Sequence, residues 1–197
     1  MDIICTEIDG SGFSFDDVHD LLWRANENNR NAGFFLRTSE LSGEDLRARV
    51  GDGKCFVAIA NRKMIGTASV RLRKGRYWYH SGEYVSYMLA AVLPEYQGMH
   101  VNTALAKKVF DFARDNRAPM VQLDTASNND HAIAVYLHQG FRFVDFQVRD
   151  NTDHYHVVMV KWLKKQPYPE IYRVIRYFLK KLYIRVRYKE GRIKRLF

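Results

Sequence analysis

Residues 83–125 hold the feature that most constrains this chain. A strand over 83–92, patterned Tyr84-Val85-Ser86-Tyr87-Met88-Leu89, runs into Leu93-Pro94 and then Glu95-Tyr96-Gln97-Gly98-Met99. A helix follows from about His100 to Asn116. Leu105, Val109, Phe110, Phe112 and Ala113 form its apolar stripe, and Lys107, Lys108, Asp111 and Arg114 its wet face. Pro119 separates it from the strand Met120-Val121-Gln122-Leu123-Asp124-Thr125. Strand, crossover helix and strand imply a parallel pair in one sheet. The loop also leaves backbone N–H groups unpaired at a helix N-terminus, where the helix dipole favours negative charge. That arrangement suits a pyrophosphate, although most such junctions bind nothing.

The rest of the chain reads around this unit. Residues 2–8 form a first strand. Ser14 caps a helix to about Arg30, with Val18, Leu21, Leu22 and Ala25 at helical spacing, and Asn28 to Gly33 stop it. Ser42 and Asp45 resemble a capping box for a short helix to Val50. Cys55 to Ala60 and Met64 to Leu72 make a hairpin about Asn61-Arg62-Lys63. Residues 73–81 read as a polar, aromatic connection. A short helix from Ala132 to His138 is closed by Gly140, and strands at 141–148 and 155–163 are joined by residues 149–153. The order β-α-α-β-β-β-α-β-α-β-β gives an α+β fold with a mixed sheet.

Charge is unevenly placed. Residues 161–197 hold thirteen of the 31 Lys and Arg residues against two acidic ones, leaving 18 basic and 20 acidic in the remainder. The basic character therefore belongs to the tail, and a nucleic-acid-binding argument from the whole chain is not supported. The N-terminus lacks the basic and apolar regions of a signal peptide. Cys5 and Cys55 have no metal-ligand spacing, so reduced thiols in a cytoplasmic protein are expected.

Two blocks together resemble the GNAT superfamily of acyl-CoA-dependent N-acetyltransferases. Val92-Leu93-Pro94-Glu95-Tyr96-Gln97-Gly98-Met99-His100-Val101-Asn102 looks like the family's V-x-P-x-[YW]-[RQ]-G-x-[GA]-[IV]-[GA] pattern. Asn129-Asp130-His131-Ala132-Ile133-Ala134-Val135-Tyr136-Leu137-His138-Gln139-Gly140-Phe141 looks like N-x-x-A-I-x-[LV]-Y-x-x-x-G-F. The resemblance covers about residues 2–163, giving a GNAT-like domain at 1–163 and a basic amphipathic C-terminal extension at 164–197. It implies central parallel strands that splay apart, here 83–92 and 120–126, often with the help of a bulge. It implies acetyl-CoA as co-substrate and no metal. The pantetheine arm would pair with the backbone of Ala90, Ala91 and Val92. The pyrophosphate would sit on Gln97, Gly98, Met99, His100, Val101, Asn102 and Thr103.

His100 and Asn102 stand where the family has Gly or Ala. Glycine there permits positive φ and close approach of a phosphate. Asn tolerates left-handed backbone, and His adds bulk but also a donor. The loop is read as altered yet usable.

The resemblance implies direct acyl transfer in a ternary complex, with no Ser or Cys nucleophile. The amine must lose a proton, and the departing thiolate benefits from an acid. Tyr136 matches the family tyrosine that protonates CoA sulfur; it reads otherwise as a core aromatic. Asn129 matches a pantetheine contact, or simply caps its helix, or does both. Glu83 and Asp124 occupy the two places where family members keep a general base. Each reads equally as a solvated strand-end carboxylate, and a water chain is the alternative to both. His154 and His156 share one strand face, but no third metal ligand follows by spacing. The aromatics Tyr77, Trp78, Tyr79, Tyr84 and Tyr87 line an acceptor cleft or merely pack.

In the tail, Pro169-Glu170 opens a helix with Ile171, Val174, Ile175, Phe178, Leu182 and Val186 at helical spacing. Residues 183–197 form a hairpin in the alternative reading. The tail docks on the body or on a second subunit, making a homodimer, or contacts an acidic partner or an anionic membrane surface. The expected activity is N-acetyl transfer to a small-molecule or peptide amine. The alternative is a catalytically silent acyl-CoA-binding or interaction module.

Overall fold

Two serines set the first helices. In the computed structural model Ser14 accepts from the Asp17 N–H while the Asp17 carboxylate accepts from the Ser14 N–H, and Ser42 and Asp45 repeat the arrangement. Both are complete capping boxes, with Asp in place of the usual Glu or Gln. Residues 2–31, 38, 40–148 and 155–187 are described. The elements are β1 (Ile4–Glu7), α1 (Phe15–Ala25), α2 (Glu27–Asn31), α3 (Gly43–Val50), β2 (Lys54–Ala60), β3 (Lys63–Arg76), β4 (Ser81–Val92), α4 (Val101–Asp115), β5 (Met120–Ala126), α5 (Asp130–His138), β6 (Arg142–Val148), β7 (Tyr155–Trp162) and α6 (Glu170–Arg187). The strands make one mixed seven-stranded sheet in the order β1-β2-β3-β4-β5-β7-β6.

The chain divides into two compact units. The first comprises Met1–Arg73 and Val85–Arg117, and the second Lys74–Tyr84 and Ala118–Phe197. In the first unit, antiparallel β1-β2-β3 pairing sets Ile4 opposite Ile59 and Lys54 opposite Val70. Val18, Leu21, Leu22, Leu46 and Val50 from α1 and α3 bury against Val57, Leu89 and Leu93. Helix α4 sits very close to β3. A Cβ at Gly66 would lie 3.0 Å from Val101 Cγ1 and 3.1 Å from Leu105 Cδ1. The missing side chain of Gly66 thus fixes where α4 begins.

In the second unit β5, β7 and β6 are antiparallel, with Met120 opposite Trp162 and Arg142 opposite Val160. Tyr79, Tyr84, Met120, Val144, Val158 and Val160 form its core. Here the expected 73–81 connection is corrected. Strand β3 runs on to Arg76 and β4 starts at Ser81, so only residues 77–80 turn, closed by Tyr77 N–H to His80 O at 2.7 Å. The cause is aromatic burial. Tyr79 is 1% exposed and donates to Gln122 Oε1 at 2.9 Å, and its ring stacks on Tyr77 with centroids 5.1 Å apart. Tyr84 and Tyr87 are also buried, so these rings pack rather than line a cleft.

Two further expectations change. Helix α1 ends at Ala25, because the Asn26 side chain donates to Leu22 O at 2.8 Å and competes with the next helical bond. Residues through Arg187 are helical, so the hairpin reading fails over 183–187, and residues 188–197 lie outside the description. Among the described residues no helix is long and apolar enough to cross a membrane.

Candidate functional site

The first unit presents a phosphate-type cradle. After β4, Leu93 donates to Ile65 O at 3.0 Å, and Pro94–Tyr96 forms one 3-10 turn. Two residues then adopt left-handed backbone: Gly98 at φ 80° and His100 at φ 58°, ψ 11°. Gly98 faces open space where a Cβ would be. His100 is the N-cap of α4 and makes no side-chain cap. Among the described residues the N–H groups of Gly98, His100, Val101, Asn102 and Thr103 have no acceptor, while Ala104 is the first in α4 to bond back, to His100 O at 3.0 Å. Those donors gather at the positive end of a fifteen-residue helix.

The two departures from the family pattern resolve differently. His100 occupies a backbone that glycine adopts freely, at a cost of about 1 kcal/mol for a residue with a Cβ. Asn102 is ordinary helix, and its Oδ1 accepts from Tyr87 Oη at 3.5 Å, which turns that side chain toward β4. Gln97 donates to Val92 O at 3.5 Å and ties the loop to the strand end. Ala90, Ala91 and Val92 are half-buried and follow Leu89, whose φ of 51° is left-handed inside a strand. Left-handed backbone inside a strand is a conformation that one class of bulge uses. Met99 and Thr103 are exposed, and Val101 is buried against Gly66.

The second unit gathers the titratable groups. Across the β5–β7 pair Ala126 faces His156 and Asp124 faces Val158. Asp124 and His156 are therefore diagonal neighbours on one sheet face. His156 Nδ1–H donates to Asp124 Oδ2 at 3.0 Å, with the imidazole side chain 11% exposed and the carboxylate 34%. A carboxylate has no proton to give, so this bond fixes the proton on Nδ1. Tyr136, on α5, packs edge-on to Phe141 at 5.8 Å. Its phenol is pushed up to about 12, first by burial and second by the Asp124 carboxylate. Asp124 and Tyr136 are thus electrostatically coupled. Asn129 caps α5 by accepting from the Ala132 N–H at 3.1 Å, which occupies its oxygen and leaves its NH₂ to donate elsewhere.

Glu83 stands apart from this group. It is exposed, and its carboxylate lies 3.4 Å from Lys74 Nζ across the hairpin, a surface pair of small energetic weight. The sequence reading missed the role of His156 as the partner of Asp124. No residue pattern carries it, because only the β5–β7 register brings them together. His154 lies outside the described residues, and among those described no group of three His, Cys, Asp or Glu is placed to hold a metal ion.

The Tyr136 shift has a consequence for stability. An unfolded tyrosine ionises near 10, whereas the folded one holds its proton to about 12. The folded state therefore binds more protons in that window. Stability is full below about pH 10 and should fall by about 2–3 kcal/mol as pH rises toward about 12. Buried Tyr79, raised further by desolvation and then by Tyr77, adds to the loss. Urea unfolding followed at increasing alkaline pH checks this, and Tyr136→Phe should flatten part of the decline.

The acetyltransferase (GNAT) family model matches residues 15–141. No curated protein matches the sequence. Among solved structures, the ribosomal-protein-S18-alanine N-acetyltransferase of Escherichia coli is similar over 86% of this chain and 97% of its own, at 16% identity and TM-score 0.63. A GNAT-family acetyltransferase from Staphylococcus aureus Mu50 is similar over 83% and 100%, at 18% identity and TM-score 0.63. A GNAT-family acetyltransferase from Elizabethkingia anophelis with acetyl-CoA bound is similar over 82% and 98%, at 16% identity and TM-score 0.57.

Proposed function

The chain belongs to the acetyltransferase (GNAT) family, and on that premise we propose that it moves an acetyl group from acetyl-CoA to a primary amine by direct attack in a ternary complex. It is an acyl-CoA-dependent acetyltransferase, with acetyl-CoA as co-substrate. The observation that carries the reading is the start of α4. Five N–H groups without acceptors, a left-handed Gly98 with open space beside it, and a helix dipole suit a pyrophosphate. A second feature supports it. On helix α5 Ile133, Val135 and Tyr136 are half-buried, with the Tyr136 phenol desolvated, and Leu137 is exposed, so the helix keeps apolar surface open.

The roles follow from the chemistry of each side chain. Gly98 and the N–H groups of residues 100–103 hold the phosphates. In the first unit the backbone of Ala90, Ala91 and Val92 holds the pantetheine arm; in the second, the Asn129 NH₂ is a donor of the kind that arm accepts from. Bound acetyl-CoA supplies an activated thioester carbonyl. Asp124, oriented by the His156 ring, takes the proton from the incoming ammonium. Tyr136 keeps its own proton through the neutral range and donates a hydrogen bond to the sulfur as negative charge develops there. Asp124 is preferred over Glu83 as base because it is partly enclosed and coupled to Tyr136. The acceptor is a small-molecule or peptide amine. The free thiols of Cys5 and Cys55 fit a cytoplasmic setting.

Initial rates with acetyl-CoA and an amine varied together test the scheme. Intersecting lines, with thiol release requiring both, are expected. Parallel lines would overturn direct attack, and no heat of acetyl-CoA binding at about 1 mM would overturn the co-substrate assignment. His156→Phe should lower kcat about tenfold and leave KM for acetyl-CoA unchanged.

A further inference from the structure

Helix α6 carries two apolar faces, one docked and the other largely exposed. On the docked face Tyr177 packs on Phe143 and Phe146 at 5.5 and 5.2 Å, and Ile184 is 3% exposed. Arg173 donates to Phe143 O at 2.7 Å, and Lys180 pairs with Asp145. These contacts dock α6 on β6. The other face consists of Ile171, Tyr172, Ile175, Phe178, Leu179, Leu182 and Tyr183, each between 46% and 65% exposed, with Tyr172 at its margin packed edge-on to Trp78 at 5.6 Å. They account for seven of the eleven large apolar side chains exposed among the described residues. Their spacing of three, four and seven puts them in one stripe of an eighteen-residue helix. Tyr172 alone of the stripe has a ring contact with the body among the described residues, and the helix is already docked through its other face.

We propose that the exposed face of α6 is a docking surface for an anionic lipid membrane, on which the helix lies flat. Charge selects this occupant. Helix α6 has six basic residues against Glu170 alone, and residues 188–197 add four basic and one acidic. Arg176, whose guanidinium stacks on Trp78 at 4.7 Å, follows the apolar stripe on one side by helical position and Lys181 on the other, the arrangement of a helix with basic margins beside an apolar stripe that enters the acyl boundary. A second copy of the chain would bring two such helices together and set like charges against one another. An anionic bilayer satisfies both the stripe and its margins.

The test is co-sedimentation of the full chain with vesicles of phosphatidylcholine alone or with about a third phosphatidylserine, at about 0.1 M and about 0.5 M salt. Binding to the anionic vesicles at low salt, weakened severalfold at high salt and by omission of phosphatidylserine, is expected. Ile175→Asp combined with Leu179→Asp should reduce the bound fraction more than about tenfold. Both sites are exposed, so the helical circular dichroism and thermal midpoint should not change. A wild-type chain that stays in the supernatant with anionic vesicles at low salt overturns the proposal. So does a double variant that binds as the wild type does. Light scattering that shows a dimer, dissociated by the same substitutions while vesicles are ignored, overturns it in favour of a second copy. Binding of an acidic peptide such as polyglutamate but not of vesicles overturns it in favour of a protein partner.

Discussion

Tyr136→Phe is expected to lower kcat by about 10²- to 10³-fold, with KM for acetyl-CoA changed less than about twofold. The substitution removes one oxygen and leaves the ring on Phe141. The phenol, pushed up to about 12, is a weaker acid than a thiol, whose ordinary value is about 8.5. In the proposed mechanism it therefore gives a hydrogen bond rather than a proton early in the reaction. Once Asp124 has taken a proton, its charge is gone, and with it the second cause of the high Tyr136 value. Proton uptake at Asp124 thus loosens the proton on Tyr136. Asp124→Asn should lower the Tyr136 value toward that of a merely buried phenol, which ultraviolet titration reads directly. The double variant should lose less than the product of the single losses, because the two groups act as a unit. Multiplicative losses would show that the coupling has no catalytic role.

Gly53→Ala is expected to cost about 3 kcal/mol or more of stability. A Cβ at this position would lie 1.9 Å from the Val70 carbonyl oxygen and 2.9 Å from its carbon. Both atoms are backbone, so no side chain can rotate away. Val70 is fully buried and faces Lys54 across the β2–β3 ladder, which leaves the strand pair itself to give. The midpoint of chemical denaturation should fall while its slope is kept. A loss below about 1 kcal/mol would mean that the start of β2 moves freely.

The two motif blocks made the central parts legible before any coordinates. Periodicity located α4, and the serine caps located α1 and α3, because those signals are local. The hairpin at 73–81 was not legible. Its strands are held by rings whose partners, such as Gln122, are far along the chain. The Asp124–His156 pair was hidden for the same reason, since register between β5 and β7 is set by packing and not by either strand's own pattern. Of the two departures from a glycine pattern, Asn102 reads as the better fit to left-handed backbone and His100 as added bulk with a donor. Backbone geometry separates them the other way, His100 left-handed and exposed, Asn102 helical and bonded to Tyr87.

Neither compact unit is a continuous piece of chain. The tip of the β3–β4 hairpin, Lys74–Tyr84, is made early and belongs to the unit completed by Ala118–Phe197. Tyr79 and Tyr84 lie in a core with Met120, Val144, Val158 and Val160. During synthesis Tyr79 must therefore wait, its ring uncovered, for Gln122, which follows 43 residues later. At about 5–20 residues per second, that interval lasts seconds. The rings of Tyr79 and Tyr84 are without their core partners for that time on every nascent chain.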